Sequence, residues 1–155
     1  MGYFSSPVVI EKLLGPYTYA YEEYIGDYSK TGPVFENVNL SLEHNGIHSH
    51  LGIGIYKDNP ELVEANNRRS DLGFVIQEDE IGKINSKLKL GKIESKKSIL
   101  VEFPLKNFLS YPFAAMKCYP ILSAYLKNKG LNAESSYELY DSEKGIITIV
   151  MIIEK

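Results

Sequence analysis

Apolar positions recur along the chain in two rhythms, one of period two and one of three to four, and the rhythms take turns. Val8 to Leu13 is a short β-prone run stopped by Gly15-Pro16. Tyr17 to Tyr24 alternates Tyr-Thr-Tyr-Ala-Tyr-Glu, which predicts a half-covered strand with its odd positions on one face. After a turn at Gly26-Asp27, Val34, Phe35, Val38 and Leu42 fall at helical spacing between Lys30 and Glu43, and Asn45-Gly46 supplies a helix stop. Leu51 to Tyr56 reads as a strand, Asp58-Asn59-Pro60 opens a polar excursion through Arg69, and Leu72 to Ile76 reads as a buried strand. Residues 77–91 are polar, with Ile81, Ile84, Leu88 and Leu90 as apolar anchors, and read as a linker with room for a short helix. Then the pattern restarts. Ser98 to Phe103 is a strand, and Phe113 to Lys127 a helix with Met116, Tyr119 and Leu122 in its stripe and Gly130 at its stop. Ser136 to Tyr140 is a strand, 141–145 a hairpin turn, and Ile146 to Ile153 a final strand.

The restart is visible residue by residue. Tyr17 to Tyr56 matches Val101 to Tyr140 without a gap, at an offset of 84. Tyr19 falls on Phe103, Phe35 on Tyr119, Val38 on Leu122, Leu42 on Leu126, Gly46 on Gly130 and Tyr56 on Tyr140. Internal similarity of this kind specifies architecture before any single motif does. The expected fold is α+β: two fused β-α-β-β modules related by a pseudo-twofold axis, with a largely antiparallel, curved sheet and a ligand cleft between them, the second module either covering the open face of the first or extending its sheet. The halves run over about 8–76 and 92–155, with a linker over about 77–91, within a single domain of 1–155. One inward-pointing position breaks the match: Gly54 falls on Glu138.

Strand parity turns that mismatch into geometry. Residues two apart share a face, so Glu138 and Tyr140 point one way and Tyr137 and Leu139 the other, toward the helix. Gly54 and Tyr56 line the matching face of the first half. The expected cleft therefore holds a tyrosine from each half, one carboxylate, and empty space opposite it. An inward carboxylate is costly unless paired, hydrogen-bonded or solvated. Two uses fit such a group: attraction of a cationic aromatic ligand, aided by cation–π contacts, or general acid–base work after burial raises its pKa. A strand-edge carboxylate in solvent or paired with a lysine is the ordinary alternative.

Composition narrows the field. The chain has 155 residues, a hydrophobic fraction of 44% and a net charge of −3. That size and apolar content support a real core, and the charge argues against direct nucleic-acid binding. The basic cluster between Lys83 and Lys97 reads as a solvated linker face. A single cysteine, Cys118, excludes an internal disulfide and, lying in an apolar helical run, reads as a buried, inert thiol. No apolar stretch is long enough for a membrane helix and Met1 to Ser6 lacks the features of a signal peptide, so a cytoplasmic location is expected, with no membrane partner. Tryptophan is absent but there are twelve tyrosines, most of them within 17–28 and 111–140. Such clusters suit a semi-polar cavity, as well as plain strand preference. His44, His48 and His50 form a His-x-x-x-His-x-His string, but Gly46 interrupts it and no acidic residue lies in 47–54 to complete a metal shell. A polar loop is expected there, with no metal and no cofactor. Phosphate-loop, nucleophile-elbow and Cys-x-x-Cys patterns are absent.

Gly15-Pro16-Tyr17, Gly26-Asp27-Tyr28, Ile53-Gly54-Ile55-Tyr56-x-Asp58-Asn59-Pro60 and Tyr137-Glu138-Leu139-Tyr140 occur in this order. Together they resemble the GyrI-like small-molecule-binding domain, the effector-binding domain of multidrug-responsive transcription activators, here in stand-alone form. The resemblance covers roughly Val8 to Lys155. It implies a ligand cleft between two modules and a bulky amphipathic, often cationic, aromatic ligand held against the glutamate of the Glu-x-Tyr strand, Glu138. It reaches Tyr140 in the same motif and, more loosely, Tyr28 and Tyr56. The candidate ligand-binding set is Glu138, Tyr140, Tyr56, Gly54, Tyr28, Tyr19 and Phe113. Glu138 and Tyr140 are the catalytic candidates under a second reading, a hydrolase of reactive cyclopropane-type molecules, as in some stand-alone relatives. A third reading is a protein-interaction or gyrase-inhibitor-like module. The resemblance leaves a partner protein open.

Overall fold

The computed structural model describes residues 8–84, 87–104 and 113–154, with the side chains of 113–118 excepted. Its strands are β1 (Ile10–Leu14), β2 (Tyr17–Ile25), β3 (Leu51–Tyr56), β4 (Arg69–Ile76), β5 (Lys89–Ile93), β6 (Lys96–Pro104), β7 (Ala133–Asp141) and β8 (Ile146–Ile153). Two helices, α1 (Gly32–His44) and α2 (Phe113–Lys129), complete the α+β plan. All strands belong to one antiparallel sheet in the order β1-β6-β8-β7-β3-β4-β2-β5. The order is palindromic about the β7–β3 contact, which is where the pseudo-twofold axis lies. The second module extends the sheet of the first and does not lie over it.

The linker does more than connect. It forms a 3₁₀ turn (Glu78–Lys83) closed by a reciprocal Gln77–Glu80 capping box, and then β5. Sequence reading left this stretch as a link because its apolar residues are sparse. The structure shows why it is ordered: β5 pairs with β2 of the first module, while β1, which precedes the first module, pairs with β6 of the second. Each module's outer edge is thus completed by the strand that leads into the other. Ile81, Ile84 and Leu88 pack against the core under α1, whereas Leu90 stays 46% exposed on the edge strand.

Both helices end alike. Gly46 and Gly130 have φ of +75° and +68°, and the next residue donates back across the turn, Ile47 to Leu42 O and Leu131 to Leu126 O, both at 2.9 Å. This left-handed cap favours glycine, so both stops were legible in the sequence.

Three apolar clusters define the two faces of the sheet. Val38 and Leu42 of α1 meet Ala20 and Ile76 on one side of the axis, and Leu122 and Leu126 of α2 meet Ile99, Val101 and Ile149 on the other. The opposite face carries no α-helix among the described residues. There Tyr19, Ile53, Leu100, Tyr137, Leu139, Val150 and Ile152 form one cluster, to which Leu14 of β1 and Ile93 of β5 both contribute. Those two strands are the opposite edges of the sheet, about 33 Å apart if it were flat. One shared cluster therefore requires the sheet to curl, with the helices on its outer face. Tyr137 and Leu139 point into the curl and not toward a helix. The parity was right and the choice of face was reversed, because a strand buried on both sides gives alternation without saying which side the helix takes.

Candidate functional site

The axis passes between the two residues that break the repeat. Gly54 on β3 is the direct cross-strand partner of Glu138 on β7, and Gly52 is that of Tyr140. The offset of 84 holds at these central strands and in the helices. It changes outward: Leu72 and Ile149, the next partners, are 77 apart, and Glu22 and Val101 beyond them are 79 apart. The gapless match therefore misaligned the outer strands, and the counterpart of Tyr19 is Ser98 instead of Phe103. The slip is odd and reverses strand parity, but residues 98–101 of β6 are buried on both faces and carry no alternation to show it.

Glu138 is 2% exposed, on the helix side of the sheet. Tyr119 of α2 donates to its Oε2 at 2.7 Å, and Tyr140 donates to its Oε1 at 2.6 Å. The Tyr56 and Tyr140 hydroxyls lie 2.8 Å apart. Either hydroxyl of that pair can donate to the other. A chain of hydroxyls thus links Tyr56 through Tyr140 to Glu138. Edge-on rings surround it, Phe35 against Tyr140 with centroids 5.5 Å apart and Tyr28 against Tyr56 at 4.9 Å. Among the described residues no lysine, arginine or histidine forms an ion pair with Glu138. Burial without a countercharge pushes its pKa up to about 8, opposed in part by the Tyr140 hydrogen bond. The hydroxyls of Tyr56 and Tyr140 are likewise pushed well above the usual tyrosine range, first by burial and then by the neighbouring carboxyl. At neutral pH the site is a mostly protonated acid in a ring of neutral phenols.

The space left by Gly54 is not empty. A Cβ there would lie 2.8 Å from the Tyr56 ring, 3.0 Å from its hydroxyl and 3.1 Å from the Tyr140 hydroxyl. The missing side chain lets the two tyrosines, one from each half, meet over the axis beside Glu138. Gly54 and Glu138 are therefore neighbours in one sheet and do not face each other across a cleft.

The other candidates divide. Tyr28 packs on Tyr56, but its hydroxyl donates to the Arg69 carbonyl at 2.8 Å and accepts from the Asp58 amide at 3.1 Å, so it braces the loop between β3 and β4. Tyr19 lies on the opposite face, inside the curl, where its ring covers Gly91 and burial pushes its pKa to about 12. It takes no part in this arrangement, and its odd-numbered place on β2 already put it with Tyr17 and Tyr21. Phe113 opens α2, but its side chain and that of Cys118 lie outside the described residues. Sequence reasoning missed Tyr119 and Phe35 as site residues. The signal was present, since they are matched partners in the repeat, but both read as helix stripe. His48 and His50 lie in the loop before β3, and His50 comes within 3.9 Å of Glu143. Among the described residues no helix is long and apolar enough to cross a membrane.

Comparison with solved structures gives the family of folds. The C-terminal domain of EcmrR superposes with a TM-score of 0.72 at 16% identity, over 96% of this chain and 98% of that one. The chain has the GyrI-like fold. The same fold occurs in SAV2435 solved with bound tetraphenylphosphonium (TM-score 0.51, 16% identity, 95% of this chain and 94% of that one). It also occurs in a hydrolase from Listeria innocua (0.59, 9%, 98% and 94%). By sequence, this GyrI-like chain is 29% identical over 137 residues to the testis-expressed protein 264 homolog of Mus musculus and 28% identical to its Homo sapiens counterpart. The match covers 82% of this chain but 42% of each of those proteins. No family model matches the chain.

Proposed function

We propose that this GyrI-like domain binds a bulky, amphipathic aromatic cation, with Glu138 as its counterion and Tyr140, Tyr56, Tyr119 and Phe35 as its aromatic walls. The observation that carries this reading is the fully buried carboxyl of Glu138, which has phenol partners but no cationic partner among the described residues. A delocalised cation would supply the missing charge, and flat rings would replace its hydration shell with cation–π contact. That SAV2435, with the same fold, was solved with tetraphenylphosphonium supports this choice of ligand class. Because the empty site holds a proton up to about pH 8, cation uptake displaces that proton. Affinity for a fixed-charge dye then rises with pH from 6 to about 8, approaching tenfold per unit, and levels off above. Titration of rhodamine 6G against a neutral rhodamine ester analogue tests this. In Glu138→Gln the cation should lose affinity selectively, whereas equal loss for both dyes rejects charge recognition.

A second reading is general acid catalysis. A carboxyl kept neutral at pH 7 with a phenol relay behind it can protonate a leaving atom, and the hydrolase of the same fold lends it support. It requires product to accumulate over many turnovers from a strained electrophile, and to stop in Glu138→Gln. Stoichiometric uptake without turnover would leave binding as the function.

A further inference from the structure

A groove of about 440 Å³ runs between α1 and the start of β3, lined among others by Glu36, Asn39 and Glu43 of the helix, by His48 and His50, and by Ser142 just beyond β7. Its volume lies in the range of small-molecule sites. Among the described residues it carries two carboxylates and no lysine or arginine. Its inner wall is Phe35, backed edge-on by Phe74 with centroids 6.2 Å apart. The same Phe35 ring stands edge-on to Tyr140. Glu138 and Tyr140 share a face of β7, and Ser142 opens the turn just beyond it, so the groove's end at Ser142 and Glu138 are about 13 Å apart along the chain, with Tyr140 between them. Beside them on β3, Gly52 and Gly54 have no side chains, and the rings of Tyr140 and Tyr56 lie over them. Groove and buried acid therefore lie in line, separated by the half-buried Phe35 ring of α1 and the Tyr140 ring behind it.

We propose that this groove is the outer subsite of, and the route into, the Glu138 site, with Phe35 as the gate. This rests on the binding function proposed above and deepens it. Rotation of Phe35, with displacement of the Tyr140 ring behind it, extends the groove into a slot that reaches Glu138. The ligand it selects is an elongated aromatic cation whose charged core reaches Glu138 and whose tail lies beside Glu36 and Glu43. A second positive charge on that tail is favoured.

Ethidium and propidium test this, since they share a phenanthridinium core and propidium adds a quaternary ammonium tail. Both should bind the wild type and both should be lost in Glu138→Gln. The Glu36→Gln/Glu43→Gln variant, altered only at exposed positions, should weaken propidium about five- to tenfold and leave ethidium within twofold. In stopped flow, Phe35→Ala and the milder Phe35→Leu should raise the association rate, about tenfold for alanine, and raise the dissociation rate further, since the same ring is a wall of the site. A propidium-to-ethidium ratio unchanged by the double variant, or wild-type association rates in both Phe35 variants, overturns the proposal even where Glu138→Gln abolishes binding. Failure of both dyes to bind the wild type overturns it together with the cation-binding function.

Discussion

At the axis, the two halves of this GyrI-like domain place the same backbone and opposite chemistry. The second half has Tyr119 on its helix, Glu138 on its central strand and Tyr140 two residues on; the first half has Phe35, Gly54 and Tyr56 at the matched positions. Where the carboxyl is present, the helix carries a hydroxyl to receive it; where it is absent, the helix carries a bare ring. The differences are coupled. A buried acid needs donors, and a phenol facing a glycine would have an unpaired hydroxyl. The axis also explains why only one half carries the acid. Directly opposed positions on antiparallel strands have Cβ atoms about 5 Å apart, too close for two buried carboxylates to ionise. The carboxyl and the hydroxyls around it are thus drawn from both halves at the axis.

The comparison is broken most severely at Glu138. In Glu138→Gln the binding of rhodamine 6G should weaken by about 2–4 kcal/mol, roughly 30- to 1000-fold, because a desolvated charge pair loses one member; isothermal titration measures it. The same carboxyl governs stability. Its folded pKa of about 8 lies above its unfolded value, so its proton stabilises the fold at low pH, and that stabilisation is lost as pH rises to about 8. Urea unfolding of the ligand-free protein should show stability falling between pH 5 and 8 by up to about 1.4 kcal/mol per unit. Glu138→Gln should flatten that slope, and an unchanged slope would assign the effect to other groups. Gly54→Ala, which adds a methyl where the two tyrosines meet, should cost about 1–3 kcal/mol of unfolding free energy. Tyr119→Phe, which makes the second half copy the first, removes one donor to Glu138 and should cost about 1 kcal/mol, with a further upward shift of the Glu138 titration seen by NMR.

Much of the architecture was legible because it rests on local rules. Gly46 and Gly130 mark helix stops that require a left-handed residue, and Val38 with Leu42 and Leu122 with Leu126 mark the buried stripes. Glu138 stood out because the repeat makes it an exception to its own counterpart. Other parts were illegible for equally physical reasons. Alternation along β7 separates Glu138 from Tyr137 but is indifferent to which side the helices occupy. The slip of five positions between the expected Phe103 and the actual Ser98 as the counterpart of Tyr19 reverses strand parity, but β6 is buried on both faces over 98–101 and so has no alternation to reveal it. β5 has few apolar residues because it is an exposed edge strand, ordered by pairing with β2 and not by a face of its own.

Local propensity and internal repetition, both properties of the chain, determined that there are two similar modules, where their helices end, and that one carboxylate has no twin. Tertiary structure alone decided that the modules join edge to edge, that each borrows its outer strand from the segment leading into the other, and that Glu138 lies beside Gly54 instead of across from it. Pairing between distant strands sets those relations, and the hydrogen bonds that fix a register are made by backbone groups common to every residue. For that reason the chemistry of the site could be read one residue at a time, whereas its enclosure by Tyr119, Tyr140, Tyr56 and Phe35 emerged only when the sheet was assembled.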